Sequence, residues 1–396
     1  MRILQVNAVY KTKSTGRIVM ELHKKFKELG NESYVAYATE NTSIVPDKNI
    51  FKIGNVLDHK LHAAAYRLDK MQGSHSRLAT IFLLKRIKKI SPDVVLTHNL
   101  HSNYLDVPYL LKKLKDMDIK VVLALHDCWH FTGGCYHYTD RGCSGWLSGC
   151  KDCKVLGRAA QKKYQINCET FDYVRPVIVA TSKWIEREAR KSLLGGRSDI
   201  HMIYNWIDTE VFYPRENENI RKKYKITGEK IILGVATNWS PDKGQNEMIS
   251  IAREFPNASV VLVGSQAIKA EYPSNVIQIP FTDSKEELAE LYSIADVFFN
   301  PSVQETFGLT SGEALACGTP IAVYNRTACP EFVEGNTGYI MQNKEDIKKA
   351  VSVIFEREEL IGKTAISKEC VEFVNKNFNL EQNVKKYLEL FEEIIL

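Results

Sequence analysis

The sequence lacks the features that mark membrane-spanning, secreted and repetitive proteins. No apolar run in its 396 residues reaches the roughly 20 residues that a membrane-spanning helix needs. The segment Met1–Asn7 is typical of a first β-strand, because no apolar core of about 7–15 residues follows it as in a signal peptide. No internal repeat and no low-complexity segment is evident. These absences predict a globular protein of the cytoplasm.

The composition is that of an ordinary globular protein. Apolar residues make up 44% of the chain and charged residues 26%, and the length suffices for two domains. The sequence contains 9 cysteines. In a cytoplasmic protein they favour free thiols or a metal site over disulfides.

The charge differs between the two halves of the chain. Residues 1–208 hold 33 Lys and Arg against 20 Asp and Glu, a difference of +13, and residues 209–396 hold 20 against 28, a difference of −8. A basic first half suits anionic lipid or a lipid-linked diphosphate, although charge that only maintains solubility is an equal alternative. Residues 77–89 combine apolar residues at helical spacing with a cationic end. Such a helix lies on a membrane surface or packs on a sheet.

Predicted strands and helices alternate along the whole chain. This pattern predicts an α/β protein with two doubly wound domains, residues 1–208 and 209–375, facing each other across a cleft. Residues 376–396 form a carboxyl-terminal amphipathic helix in this prediction.

The most informative stretch covers residues 300–320. A strand at 295–299 precedes it, a helix from Thr310 to Ala316 lies within it, and a strand at 321–323 follows. The loop of this unit therefore lies at the carboxyl end of a strand, where open parallel sheets bind ligands.

The loop combines two carboxylates with the start of a helix. Glu305 precedes the helix and Glu313 lies inside it. The backbone N–H groups of Phe307, Gly308 and Leu309 have no helical partner, and with the helix dipole they suit an anion. Carboxylates accept hydrogen bonds from sugar hydroxyls, so this segment is suited to a ribose, a diphosphate and a hexose.

These residues carry a resemblance to a known family. Two Glu eight positions apart, with Phe-Gly-Leu between them and Ala-Cys-Gly-Thr-Pro after them, resemble the retaining GT-B glycosyltransferases of family 4, in their polysaccharide-synthesising (colanic-acid) type. The resemblance implies a GT-B fold made of two Rossmann-like domains, of which the first faces the acceptor and the second binds the nucleotide sugar. It also implies that the helix of residues 376–396 crosses back onto the first domain. It assigns Glu305 to the hydroxyls of the donor sugar and Glu313 to the ribose of the nucleotide.

The resemblance also assigns the phosphate-binding groups. The family clamps the diphosphate with an Arg and a Lys five positions apart; Lys243 matches the Lys, and Asn238 stands where the Arg is expected. Gly16 follows the first strand, in a loop that the resemblance places against the donor phosphates and the acceptor. Trp206 replaces the usual Gly of the family's interdomain Asn-Gly-Ile-Asp segment.

Two further features come from the first half of the chain. His126 directly follows the strand 120–125, and the resemblance implies that it reaches the donor sugar; a purely structural histidine is the alternative. The Cys-rich insert, about residues 128–153, contains four closely spaced thiols: Cys135, Cys143, Cys150 and Cys153. They predict a structural zinc site, with free thiols as the alternative.

The predicted function is a retaining hexosyltransferase that needs no catalytic cofactor. The donor is a nucleoside diphosphate sugar of the UDP or GDP type. The acceptor is a hydroxyl of a saccharide or lipid-linked molecule in surface polysaccharide synthesis. Nucleic acid is not an expected partner, and the inner face of the membrane is an expected location. A sugar-nucleotide epimerase on the same fold and a catalytically silent, sugar-nucleotide-binding partner of an assembly complex are the alternatives. The absence of GxGxxG argues against a dehydrogenase.

Overall fold

The computed structural model describes residues 1–39, 47–216, 218–266 and 271–396. The chain divides into two compact units, one made of Met1–Ile203 with Glu381–Leu396 and the other of Tyr204–Leu380. Each unit contains a parallel sheet with helices, as the sequence predicts.

The first unit is built on a parallel sheet of seven strands. They are β1 (Arg2–Val9), β2 (Glu32–Thr39), β3 (Ile50–Lys52), β4 (Val94–Thr97), β5 (Lys120–Leu125), β6 (Val177–Ala180) and β7 (Ile200–Met202). Their order in the sheet is β3-β2-β1-β4-β5-β6-β7. The accompanying helices are α1 (Lys13–Glu28), α2 (Val56–Asp69), α3 (Arg77–Ile90), α4 (Val107–Asp116), α5 (Arg158–Val174) and α6 (Lys183–Lys191).

The second unit repeats this design with six parallel strands. They are β8 (Ile231–Trp239), β9 (Ser259–Gln266), β10 (Val276–Ile279), β11 (Val297–Asn300), β12 (Ile321–Tyr324) and β13 (Gly338–Met341), in the order β10-β9-β8-β11-β12-β13. Its helices are α7 (Glu218–Lys223), α8 (Gln245–Glu254), α9 (Lys285–Ile294), α10 (Leu309–Ala316), α11 (Ile347–Ile361) and α12 (Lys363–Asn377). The strand order of both sheets reverses at one point, next to β1 and next to β8, and such switch points open a crevice for ligands at the carboxyl ends of the strands.

The last helix, α13 (Leu380–Ile395), joins the first unit from Glu381 onward. The Phe391 ring packs on the Phe26 ring of α1 at 5.9 Å between centroids, and Glu381 forms an ion pair with Lys25. None of the helices in the described part of the chain is both long and apolar enough to cross a membrane.

The strands of both sheets are buried on both faces. Fully buried side chains in β1, β4 and β5 include Ile3, Val95 and Leu123, and those in β11 include Phe298 and Phe299. Near-continuous apolar runs of this kind are what parallel strands covered by helices on both faces require. Because the strands are buried, the polar residues that follow each strand are the first accessible groups at the carboxyl edge of the sheet.

The predicted loop position of Gly16 is wrong, and strand β8 continues to the residue after Asn238. Helix α1 begins at Lys13, so Gly16 lies in its first turn and not in a loop. The preceding turn is closed by the Lys11 N–H, which donates to the Gly16 carbonyl at 3.0 Å. Strand β8 extends to Trp239, because an irregularity after Val235 lets Asn238 pair with Ser265 of β9.

The loop before α10 is held in place by aromatic packing. The buried Phe307 ring contacts the Phe332 ring at 5.1 Å and the Phe378 ring at 5.3 Å between centroids. Within α10, a Cβ on Gly312 would lie 2.4 Å from Cδ1 of Ile207 and 2.9 Å from Cε1 of Phe332. Gly312 therefore allows α10 to approach the chain segment that opens the second unit.

We expect Gly312→Ala to lower the free energy of unfolding by about 1–3 kcal/mol, the usual effect of overpacking. Ile207→Val removes the nearest methyl group, so the double variant Gly312→Ala/Ile207→Val should lose less than the sum of the two single losses. Urea denaturation of the four proteins in the cycle measures this coupling. If the two losses of unfolding free energy are strictly additive, Ile207 is not the residue that requires a glycine at position 312.

Candidate functional site

Two loops meet at the switch point of the second sheet. One follows β8 and contains the short 3-10 turn Pro241–Lys243, and the other follows β11. Gly244 has a left-handed backbone (φ 78°), and a Cβ at this position would lie 2.1 Å from Cγ of Pro301. Because only glycine satisfies both conditions, Gly244 allows the loop that bears Lys243 to rest on the loop that bears Glu305.

Lys243 and Glu305 form an ion pair. The Lys243 Nζ lies 2.8 Å from Oε1 of Glu305 and 3.3 Å from Oγ of Ser302. The backbone of Glu305 is fixed by two hydrogen bonds, since its N–H donates to Oγ1 of Thr327 at 3.0 Å and its carbonyl accepts the N–H of Ala328 at 3.2 Å. Both side chains are partly exposed. A cation and a carboxylate, 62 positions apart in the sequence, thus lie side by side at the sheet edge.

Glu313 has a different environment. It is buried in α10, and its Oε2 accepts a hydrogen bond from the Tyr292 hydroxyl of α9 at 3.4 Å. The contact fixes one oxygen of the carboxylate against the neighbouring helix. Its role toward a ribose stays a prediction, and Tyr292 is a contact that the sequence reasoning missed.

The start of α10 has no side-chain cap. Gly308 precedes the helix with a left-handed backbone (φ 105°), and as the N-cap residue it has no side chain to accept a hydrogen bond from the first amides of the helix. Phe307 is buried in the aromatic cluster and Leu309 is half-buried, so these two residues offer a ligand their backbone amides rather than polar side chains. Uncapped amides at a helix start suit the oxygen atoms of a phosphate.

Asn238 is exposed near the end of β8. Its Oδ1 accepts a hydrogen bond from Oγ of Ser265 on the adjacent strand. The amide that stands at the family's Arg position is therefore engaged with β9, and Lys243 supplies the cation beside Glu305.

The corresponding edge of the first unit carries a chain of hydrogen bonds that ends at His126. The Gln5 Nε2 donates to the Val19 carbonyl at 3.2 Å, which leaves Gln5 Oε1 to accept from Nε2 of His98 at 3.2 Å. The Nδ1 of His98 must then be the acceptor for Nε2–H of His126, at 2.9 Å. Since a carbonyl oxygen only accepts, the direction of the whole chain is fixed when both rings are neutral.

The electrostatics favour neutral rings. Burial lowers the pKa of His126 to about 4 although Asp127 opposes the shift, and burial together with His126 holds the pKa of His98 well below its usual range. With Nε2 protonated, Nδ1 of His126 carries a free lone pair. His126 is therefore prepared to accept a hydrogen bond from a hydroxyl.

A second pair lies beside this chain. The Nε2 of His101 is 2.7 Å from Oδ2 of Asp127, and the Trp129 N–H donates to Oδ1 at 2.9 Å. Burial by itself would raise the pKa of Asp127, but the hydrogen bond and charge of His101 outweigh it and lower the pKa. Sequence reasoning assigned no role to Gln5, His98 or His101. The available signal was that His98 directly follows β4, that His101 lies three residues further on, and that β4 neighbours β5.

The four cysteines predicted to bind zinc share one cavity. Cys135, Cys143, Cys150 and Cys153 line a space of about 350 Å³. The Gly133 N–H donates to Sγ of Cys150 at 3.2 Å, and the four thiols form no disulfides. Within the described residues, however, no three His, Cys, Asp or Glu side chains are arranged to hold a metal ion. The four cysteines line one cavity but are not grouped as metal ligands among the described residues, so the zinc site stays a prediction.

Profiles of two families match the chain on either side of its division. "Glycosyltransferase Family 4" covers residues 15–211 and "Glycosyl transferases group 1" covers residues 216–369. The chain belongs to glycosyltransferase family 4. The residues of the candidate sites described in this subsection, except Gln5, lie inside the matched segments.

Curated relatives of this family 4 member are distant. The chain is 26% identical over 233 residues to N-acetyl-alpha-D-glucosaminyl L-malate synthase of Bacillus anthracis, covering 55% of the chain and 60% of that protein. It is 23% identical over 365 residues to alpha-monoglucosyldiacylglycerol synthase of Acholeplasma laidlawii, covering 87% and 85%. The first match therefore spans less than two thirds of its relative.

Solved structures establish the fold. Sucrose-phosphate synthase from Thermosynechococcus elongatus matches with a TM-score of 0.70 at 16% identity, covering 99% of this chain and 98% of that one. Anabaena HepE, solved in complex with UDP and glucose, matches with a TM-score of 0.67 at 15% identity, covering 99% of each chain. These neighbours are GT-B glycosyltransferases, and at such low identity they support the GT-B fold of this chain and no more.

The hydrogen-bond chain in the first unit predicts one tautomer of His126. In ¹⁵N NMR spectra at neutral pH, His126 should be protonated at Nε2 only. Gln5→Leu removes the acceptor for His98, and we expect a mixture of His126 tautomers in this variant. His23, which bonds separately to Ser33 at 2.8 Å, is an internal control whose signals should not change. An unchanged His126 in Gln5→Leu would contradict the proposed direction of the chain.

Elemental analysis tests the zinc prediction. If the prediction is right, purified protein contains about one zinc per chain, and Cys150→Ser together with Cys153→Ser abolishes it. The matched control is Cys168→Ser, since Cys168 does not line the cavity. Metal-free protein with nine titratable thiols would show that the cluster consists of free cysteines.

Proposed function

We propose that this protein transfers a hexose from a nucleoside diphosphate sugar to a hydroxyl of a saccharide or lipid-linked acceptor, with retention of the anomeric configuration, in surface polysaccharide synthesis. The observation that carries the proposal is the Lys243–Glu305 pair beside the uncapped start of α10, at the switch point of the second sheet. Family membership supports the reaction class.

The donor is proposed to be of the UDP or GDP type. One structural neighbour was solved with UDP and glucose, and one relative from Mycobacterium tuberculosis is named as a GDP-mannose-dependent mannosyltransferase. Relatives named for glycosylated diacylglycerols support a lipid-linked acceptor. We place this activity in the cytoplasm and at the inner face of the membrane.

Each residue has a role that follows from its chemistry. Arrival of the donor replaces the Lys243–Glu305 contact: the ammonium of Lys243 moves to the diphosphate, and the Glu305 carboxylate accepts hydrogen bonds from sugar hydroxyls. The amides of Phe307, Gly308 and Leu309 add donors for the phosphates, and the resemblance assigns Gly16 of the first unit to the same phosphates. Glu313 accepts from the ribose hydroxyls. His126 accepts a further sugar hydroxyl at Nδ1.

In the proposed step, the acceptor oxygen bonds to the anomeric carbon as the bond from that carbon to the phosphate oxygen breaks. The hydroxyl proton passes to the departing phosphate on the same face of the sugar. The transition state has oxocarbenium character. Negative charge grows on the diphosphate, where Lys243 and the helix amides stabilise it without rearrangement. A nucleoside diphosphate is the second product, and no resident cofactor takes part in this scheme.

The engaged side chain of Asn238 favours one alternative, a partner that binds a sugar nucleotide without turning it over. Nucleotide release that requires added acceptor distinguishes the transferase from this silent partner, which releases none. The same requirement excludes an epimerase, which needs no second substrate.

Lys243→Ala should weaken binding of the nucleoside diphosphate by about tenfold or more, because a charge-assisted contact to phosphate is lost. Glu305→Gln should leave that affinity unchanged or higher, since Lys243 is released, while turnover falls by about 100-fold. Calorimetry and nucleotide-release assays measure the two quantities. Lys344→Ala is the matched control, because Lys344 is an exposed lysine of the same unit that pairs with Glu247. Equal nucleotide affinity of the Lys243→Ala and Lys344→Ala variants would contradict the role of Lys243 in binding the diphosphate.

A further inference from the structure

Helix α2 exposes its leucines and buries a histidine, which is the reverse of the usual pattern. Its only fully buried side chain is His62. Leu57, Leu61 and Leu68 are 61–89% exposed, and Ala64, also exposed, lies between them. Positions 57, 61, 64 and 68 fall on one face of a helix, so the chain presents a continuous apolar stripe to solvent. We call these four residues the α2 stripe.

Polar contacts fix this orientation. The Nδ1 of His62 lies 2.7 Å from Oγ of Ser76, and its Nε2 accepts the Gly73 N–H at 3.3 Å. The helix start is fixed by Asn55, whose side chain accepts from the N–H groups of Leu57 and Asp58. Rolling the helix to bury the leucines would break the contacts of His62. The exposure of the stripe is therefore built into the structure.

The next helix also exposes apolar residues. Leu78 and Phe82 of α3 are also exposed and lie one helical turn apart, while Leu83, Leu84 and Ile87 of the same helix are buried. Single exposed apolar residues are common, but a grouped set such as the α2 stripe indicates an interaction site. Helix α3 thus packs on the sheet with one face and exposes apolar residues on another.

The net charge of the segment that contains the stripe selects the partner. Between Lys52 and Lys89 the chain has 9 Lys and Arg against 2 Asp and no Glu, a difference of +7. Lys60 and Arg67 are exposed and fall on one flank of the stripe. Apolar side chains flanked by long cationic ones suit a bilayer, where the leucines enter the acyl boundary and the cations reach anionic headgroups. A second copy of the chain docked through the same face would bring like charges together.

We propose that the α2 stripe, with Leu78 and Phe82 and the surrounding cations, binds the surface of an anionic lipid bilayer. This inference deepens the proposed function, because it names the surface that would bring the enzyme to lipid-linked acceptors. Vesicle binding needs neither donor nor acceptor. It can therefore be absent in a protein that is an active transferase, and present in one that is inactive.

Co-sedimentation of the full-length protein with vesicles tests the proposal. We expect binding to vesicles of phosphatidylcholine with 30% phosphatidylglycerol, and at least about fivefold weaker binding to pure phosphatidylcholine, because several cations contribute near an anionic surface. The variant Leu57→Ser/Leu61→Ser/Leu68→Ser should lose at least about tenfold in affinity for the anionic vesicles. Its folding should be unimpaired, since these side chains are already in water.

Two control variants separate the stripe from general effects. Leu29→Ser/Leu147→Ser/Leu360→Ser removes three exposed leucines from other elements and should bind as the unmodified protein does. Lys60→Gln/Arg67→Gln should weaken binding, whereas Lys24→Gln/Lys385→Gln, which removes two exposed cations elsewhere, should have little effect. Equal vesicle binding by both leucine variants would overturn the proposal. A dimer in solution that the stripe variant converts to a monomer would also overturn it, in favour of a second copy.

Discussion

The close approach of Gly244 to Pro301 is the constraint on which the candidate site of the second unit depends. It allows the loops after β8 and β11 to touch, and so brings the ammonium of Lys243 to the carboxylate of Glu305. Any side chain at position 244 would separate the two loops. Charge attraction alone would not hold a partly exposed pair so closely, because such pairs contribute little in water. The backbone contact positions the charges, and the charges then define the chemistry of the edge.

The first unit uses the same sheet edge for a different purpose. There the side chains that follow β4 and β5 are histidines, and a chain of hydrogen bonds from Gln5 through His98 gives His126 a defined proton position. One edge thus presents a cation and a carboxylate, and the other presents a neutral hydrogen-bond acceptor. Both follow from the rule that the residues after buried parallel strands are the first polar groups to emerge.

Much of the fold was predictable, because buried parallel strands produce long apolar runs and helices produce a period of 3.6 residues. The two doubly wound sheets and the helix after Gly308 were predicted on this basis. The starts and ends of the strands and helices were harder to predict. Gly16 lies inside α1, since a hydrogen-bonded turn at Lys11 allows the helix to begin early, and β8 passes a bulge that the apolar pattern does not reveal.

The sequence by itself determined the fold class, the family and the residue types at the sheet edges, because these depend on local periodicity and on short motifs. Only the tertiary structure decided which of those residues meet. Lys243 pairs with Glu305, and Gln5 aligns with His98 and His126, although these residues are distant in the sequence. The outward face of α2 reverses the expected burial of leucines. Contacts of this kind are set by how strands and helices pack, and neither periodicity nor composition records them.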